Sequence, residues 1–158
     1  MMAIALVIGF LLALAAGSLP FGPLYAIIHP DFVALLLLYW AISSSSELSF
    51  TVVWLIGLLQ DTVLGDVLGG RAVAAVIMIY ALYNGLGRVR RLSFWEQLFF
   101  IFLLLLGQRL ITWFWQAWSG PITWHFSLLI APLIGALLWP LFTFVLDHLR
   151  LLLKGQVS

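Results

Sequence analysis

Apolar residues run along this chain in long blocks, broken by short clusters of polar residues, glycine and proline. Six blocks approach the roughly 20 residues that a helix needs to cross a bilayer. The first runs from about Ala3 to Ser18 and stops at Pro20, Gly22 and Pro23, which end helices. The apolar piece from Leu24 to Ile28, with Tyr25, reads as an interfacial or re-entrant connector. The second block begins at His29-Pro30-Asp31, where proline and a carboxylate both suit a helix start. It passes through a Leu run to Tyr39, Trp40 and about Ile42, with the two aromatics placed for an interfacial belt. A polar loop from Ser43 to Glu47 leads to the third block, from near Leu48 past Asp61. A turn from Gly65 to Gly70 precedes the fourth, about Arg71 to Leu86. Gly87 to Arg91 is a basic loop, and the fifth block runs from about Phe94 to Trp118. After Ser119-Gly120-Pro121 the sixth runs from about Trp124 to His148, with Pro132 and Pro140 inside it. The expected fold is an all-α integral membrane protein with about six transmembrane helices, a single domain over residues 1–158.

Composition narrows the function classes. The 158 residues are 65% hydrophobic and only 8% charged, with a mean hydropathy of +1.18. A soluble fold of this size cannot hide such an apolar excess, so a soluble enzyme, a nucleic-acid-binding module and a disordered chain are excluded. The absence of cysteine removes disulfides, thiolate metal sites and Cys nucleophiles. Met1 to Leu19 lacks the basic n-region of a secretory signal, and a retained first span is expected despite small residues at Ala13, Ala15, Ala16 and Gly17.

Basic residues set the expected orientation. Arg88, Arg90 and Arg91 share one loop, and Arg150 and Lys154 lie in the C-terminal tail. With six spans these regions and the N-terminus fall on one side, expected to be cytoplasmic. Arg71 alone dissents, on the outer side.

Charges inside apolar blocks are the candidates for a site, because they are costly in lipid and face protein. Asp61 and Arg109 are the foremost. Asp61 stands 13 residues after Leu48 and Arg109 15 after Phe94. At a rise of 1.5 Å per residue both lie about 20 Å from the inner surface. Their depths permit a direct pair; the other reading is that each sits near the outer interface and snorkels or hydrogen-bonds alone. Asp66 and Arg71, across the turn, are expected to be loop residues in water, with an outer-face partner contact as the other reading. Gly65 and Gly69 would permit a tight turn and close helix approach. Gln60, Gln108, Asn84 and Thr112 complete the short list of polar groups at depth. Glu96 is expected to pair with an arginine of the basic loop or to face water.

Catalytic chemistry finds no foothold. There is no His-Glu-x-x-His, no Gly-x-Ser followed by a matching His, and Val63 replaces the first glycine of the Gly-x-Gly-Asp pattern that aspartyl membrane proteases need before Asp66. His29, His125 and His148 are not at metal-ligand spacing. The expectation is no enzyme, no metal and no cofactor.

Two stretches resemble the MreD family of bacterial rod-shape-determining membrane proteins. The first is His29-Pro30-Asp31-Phe32 with the Leu run and Tyr39-Trp40; the second is Gly57-Leu-Leu-Gln-Asp61-Thr-Val-Leu-Gly65 with Leu68-Gly69-Gly70-Arg71-Ala72. In this chain the loop after the second span is Ser43 to Ser46 followed by Glu47, where the family often has a basic residue. The resemblance implies a non-enzymatic scaffold of the cell-elongation machinery in the inner membrane. It implies binding to the single-span protein MreC, within a wider complex of the MreB filament and the RodA glycosyltransferase with its penicillin-binding-protein partner, and contact with membrane lipid. Pro30, Tyr39, Trp40, Asp61, Gly65, Asp66, Gly69, Arg71 and Arg109 are the structural or partner-binding candidates. The family has also been likened in fold to the substrate-binding subunits of energy-coupling-factor transporters. That likeness supplies an alternative, a small six-span transporter or vitamin-binding subunit.

Overall fold

The computed structural model describes residues 2–19, 22–23, 30–43, 48–121 and 126–155. Among these the chain forms six helices: α1 (Met2–Ser18), α2 (Phe32–Ser43), α3 (Phe50–Leu64), α4 (Gly70–Val89), α5 (Phe94–Ser119) and α6 (Ser127–Gly155). Most of the expected connector, the loop from Ser44 to Glu47, Trp124, and the histidines at 29 and 125 lie outside the described residues.

The spans match the apolar blocks, with differences in length at two helix ends. Residues 70–89, 94–119 and 128–152 are long and apolar enough to cross a membrane, whereas α2 and α3 are shorter apolar helices. With 12 residues, α2 is about 18 Å long. The reason is at its start. Asp31 stands just before the first turn and accepts a hydrogen bond on Oδ1 from the Ala34 N–H at 3.1 Å. That is an N-cap, and it ends the helix where the sequence had it continue to His29. At the other end of the chain the difference is reversed. Residues expected in a tail after Leu149 continue α6, so Arg150 sits on a helix.

The core is built around α2. Its residues Val33 to Ala41 are all buried, and it packs against α1, α4 and α6. An all-apolar helix has no polar face to show to water, and here protein covers every side of it. Tyr39 and Trp40, expected at a lipid interface, are instead interior, 3% and 7% exposed. The Tyr39 hydroxyl donates to Asp147 Oδ1 at 2.5 Å.

Successive helices pack as antiparallel neighbours, α3 on α4, α4 on α5 and α5 on α6. The α3–α4 crossing is the tightest. A Cβ placed on Gly57 would lie 2.4 Å from Ala72 Cα, so only glycine lets the backbones come this close. The last carbonyls of α2 receive two arginines from distant parts of the chain. Arg90 donates to the Ile42 carbonyl at 3.0 Å and Arg150 to the Ser43 carbonyl at 3.4 Å. Cations suit a helix C-terminus, so the basic loop and α6 supply what the loop after α2 lacks. The same contacts put the α4–α5 loop and the C-terminal part of α6 at one end of the bundle. Glu96, at the start of α5, accepts a hydrogen bond from the Ser93 N–H at 3.0 Å rather than pairing with an arginine.

Candidate functional site

The opposite end of α2 holds a cluster of charged side chains. Asp61 lies in the last turn of α3 and is fully buried. Gly65 follows the helix with φ +68° and turns the chain, so that the Asp66 N–H reaches the Asp61 carbonyl at 3.1 Å. Gly69 has φ +95°, a conformation that side chains resist. In that conformation its N–H donates to Asp61 Oδ2 at 2.8 Å, and the Arg71 N–H reaches Oδ1 at 3.3 Å. Asp61 therefore sits on the N-terminus of α4, where free N–H groups and the helix dipole favour an anion.

Arg71 is the hub of the cluster. Its Nε and Nη2 donate to Asp66 Oδ2 at 3.0 and 2.7 Å, and its Nη1 to Asp31 Oδ2 at 3.4 Å. Its Nε is also 3.7 Å from Asp61 Oδ1. The Arg71 side chain is 11% exposed and Asp66 29%, so neither is a loop residue in open water. The turn folds back over α4 instead of projecting away, which brings Asp66 onto the guanidinium. Asp31 is tied in further by Gln60 Nε2 at 2.9 Å on Oδ1 and by Gln108 Nε2 at 3.2 Å on Oδ2. One arginine and its three carboxylates thus join the start of α2, the end of α3, the turn and the start of α4, and Gln108 adds α5.

The Asp61–Arg109 pair is not formed. Equal depth does not fix the direction in which a side chain leaves its helix. Asp61 points to the start of α4, where backbone donors and Arg71 satisfy it. Arg109 lines a small cleft with Asp31, Arg71, Gln108, Thr112 and Pro132. Among the described residues it has no hydrogen-bond or ion-pair partner.

The sequence missed Asp31 as a member of the network. Its place before an apolar helix read as a dipole effect alone. The available signal was an N-cap carboxylate next to a helix that is wholly apolar from Phe32 to Leu38, at the end where Asp61 and Arg71 also lie. Pro30 precedes the cap, and a Cβ on Gly135 of α6 would lie 3.5 Å from its side chain. Among the described residues no group of three His, Cys, Asp or Glu could hold a metal ion. The cluster contains no nucleophile beside a base. What the arrangement does chemically is compensate buried charge and lock helix ends together.

Helices long and apolar enough to cross a membrane, tied at one end by buried ion pairs, define a polytopic helical membrane protein. The model of the family described as rod shape-determining protein MreD matches residues 1–149. The chain belongs to the MreD family. It is 28% identical over 134 residues to the rod shape-determining protein MreD of Haemophilus influenzae, covering 85% of this chain and 80% of that one. No solved structure shows a significant match.

Proposed function

We propose that the protein is a non-enzymatic scaffold of the cell-elongation machinery in the bacterial inner membrane, with both termini cytoplasmic. It binds the membrane segment of MreC and links the MreB filament to peptidoglycan synthesis by RodA and its penicillin-binding-protein partner. The observation that carries this reading is family membership over nearly the whole chain. The site supports it, because the acidic groups at Asp31, Asp61 and Asp66 are engaged with Arg71 and with helix ends rather than aimed at a substrate. The orientation rests on the shared end of the basic loop and α6.

The test is to tag the C-terminus, extract the protein in mild detergent and identify the proteins and small molecules that copurify. Recovery of MreC with the wall-synthesis enzymes is the expected result. An ATPase module or a stoichiometric vitamin-like compound in their place would overturn the scaffold and favour a transport subunit.

A further inference from the structure

Neighbouring helices of the bundle lose their apolar faces at different distances from the basic loop. Two contacts fix the register of α4 against α5. A Cβ placed on Gly70 would lie 2.9 Å from Trp115 Cδ1, and one on Gly85 3.2 Å from Phe100 Cζ. The helices are antiparallel, so Asn84 stands level with Ile101, and Arg90, just past α4, with Trp95. On α5 the exposed face stays apolar down to the basic loop, through Phe99, Trp95 and Phe94. Glu96 among them is spent on the cap of its own helix. From Trp95 to Trp115 α5 rises about 30 Å, the thickness of an ordinary hydrocarbon core. The face of α4 turns polar sooner. Past Tyr80 and Ala81 its exposed residues are Asn84, Gly87 and Arg88. By register Asn84 is six residues, about 9 Å, farther from the basic loop than Trp95.

The start of α3 lies farther from the loop still. Gly57 against Ala72 sets its register, which puts Ser49 level with Tyr80. There the ring of Phe50 meets those of Tyr80 and Tyr83, at 6.4 and 6.0 Å between centroids. Ser49 is exposed and makes no side-chain cap, so the first N–H groups of α3 have no acceptor within the helix. Hydrocarbon leaves such groups unsatisfied, and water or lipid headgroups satisfy them. Aromatic side chains favour the same boundary. The α3–α4 flank therefore has a polar edge and an aromatic girdle of its own. Both lie farther from the basic loop than the Phe94–Trp95 pair, which marks the edge on α5.

We propose that the α3–α4 flank thins the bilayer beside it. The leaflet on the side of the basic loop gives up about 9 Å of hydrocarbon there, and its headgroups reach in to Asn84 and the start of α3. Along α5 the ordinary thickness holds. A span shorter than the bilayer is accommodated by thinning at a modest cost per ångström. Asn84 and a helix end lack the long stem with which arginine and lysine snorkel instead. The partner of this surface is phospholipid with short or unsaturated acyl chains. The inference concerns the lipid around the chain and stands apart from the scaffold reading.

The chain has no cysteine, so single nitroxide labels can report depth. Ala81→Cys and Phe99→Cys, both at exposed positions, would be labelled in the full chain in dioleoylphosphatidylcholine vesicles. Depth is read from collisions with oxygen and with a water-soluble nickel chelate. Register puts Ala81 five residues farther from the basic loop than Phe99. Beside a flat leaflet the Ala81 label would sit about 7–8 Å deeper than the Phe99 label. Thinning brings the two to equal depth within about 2 Å, which is the expected result. A label at Asn84→Cys should read at the headgroups, as one at Trp95→Cys does. An Ala81 label deeper than the Phe99 label by more than half the flat-leaflet difference would overturn the proposal. So would an Asn84 label inside the hydrocarbon while the Trp95 label reads at the headgroups.

Discussion

Removing Arg71 would leave three carboxylates facing one another with their shared cation gone. Breaking a buried ion pair from one side costs about 3–5 kcal/mol, because the partner's charge stays buried. Arg71→Met is expected to lose stability on that scale, read as thermal unfolding in detergent or as abundance in the membrane. Asp61→Asn keeps the shape but turns one acceptor oxygen into a donor facing the N–H groups of Gly69 and Arg71. It should cost less, about 1–3 kcal/mol. Variants as stable as the parent would show that the network is incidental to folding. The sequence exposed most of these groups, because a charge in an apolar block stands out by itself. It did not expose their pairing. Asp61 and Arg109 agree in depth, and depth follows from counting residues. The direction of a side chain around its helix follows from which neighbour the helix packs on, and that is tertiary. Asp31 escaped for a related reason, since a helix cap and an ion-pair member have the same sequence signature.

At the scale of the helix, glycine separates close packing from mere tolerance. At Gly57 in α3 an added Cβ would lie 2.4 Å from Ala72 Cα and 2.8 Å from its backbone nitrogen, with no flexible side chain to yield. Gly107, in α5, has nothing within 4 Å of the same position. Gly57→Ala should force α3 away from α4, at a cost of about 1–3 kcal/mol or more, as overpacking does. Gly107→Ala should instead gain up to about 1 kcal/mol from helix propensity. Paired unfolding measurements in one detergent check both, and equal effects would refute the close crossing. The blocks themselves were legible, because apolar runs ending at Gly and Pro need no tertiary knowledge. Burial was not. The all-apolar α2 and the exposed faces of α5 and α6 have similar side chains, and in lipid either could face outward. Only the packing of α1, α4 and α6 around α2 decides that Leu35 to Leu38 are interior, whereas Leu133, Leu137 and Leu141 of α6 are exposed.

For the whole molecule, the two ends of α2 organise the two ends of the bundle. One gathers Asp31, Asp61, Asp66 and Arg71; the other gathers Arg90 and Arg150 on the final carbonyls of α2. If the arginine end is cytoplasmic, the carboxylate end and the α5–α6 turn face outward. The chain has no cysteine, so single cysteines can report this without background. Gly87 and Gly120 are both exposed, have nothing within 4 Å of an added Cβ, and lie on either side of α5. Gly120→Cys should react with a membrane-impermeant maleimide in intact spheroplasts. Gly87→Cys should react only after permeabilisation. The opposite pattern would invert the orientation and put the carboxylate end of the bundle on the cytoplasmic side. Equal reaction of both in intact spheroplasts would mean that α5 does not cross the bilayer, despite 26 residues and an apolar sequence. The experiment therefore tests the charge rule and the span together.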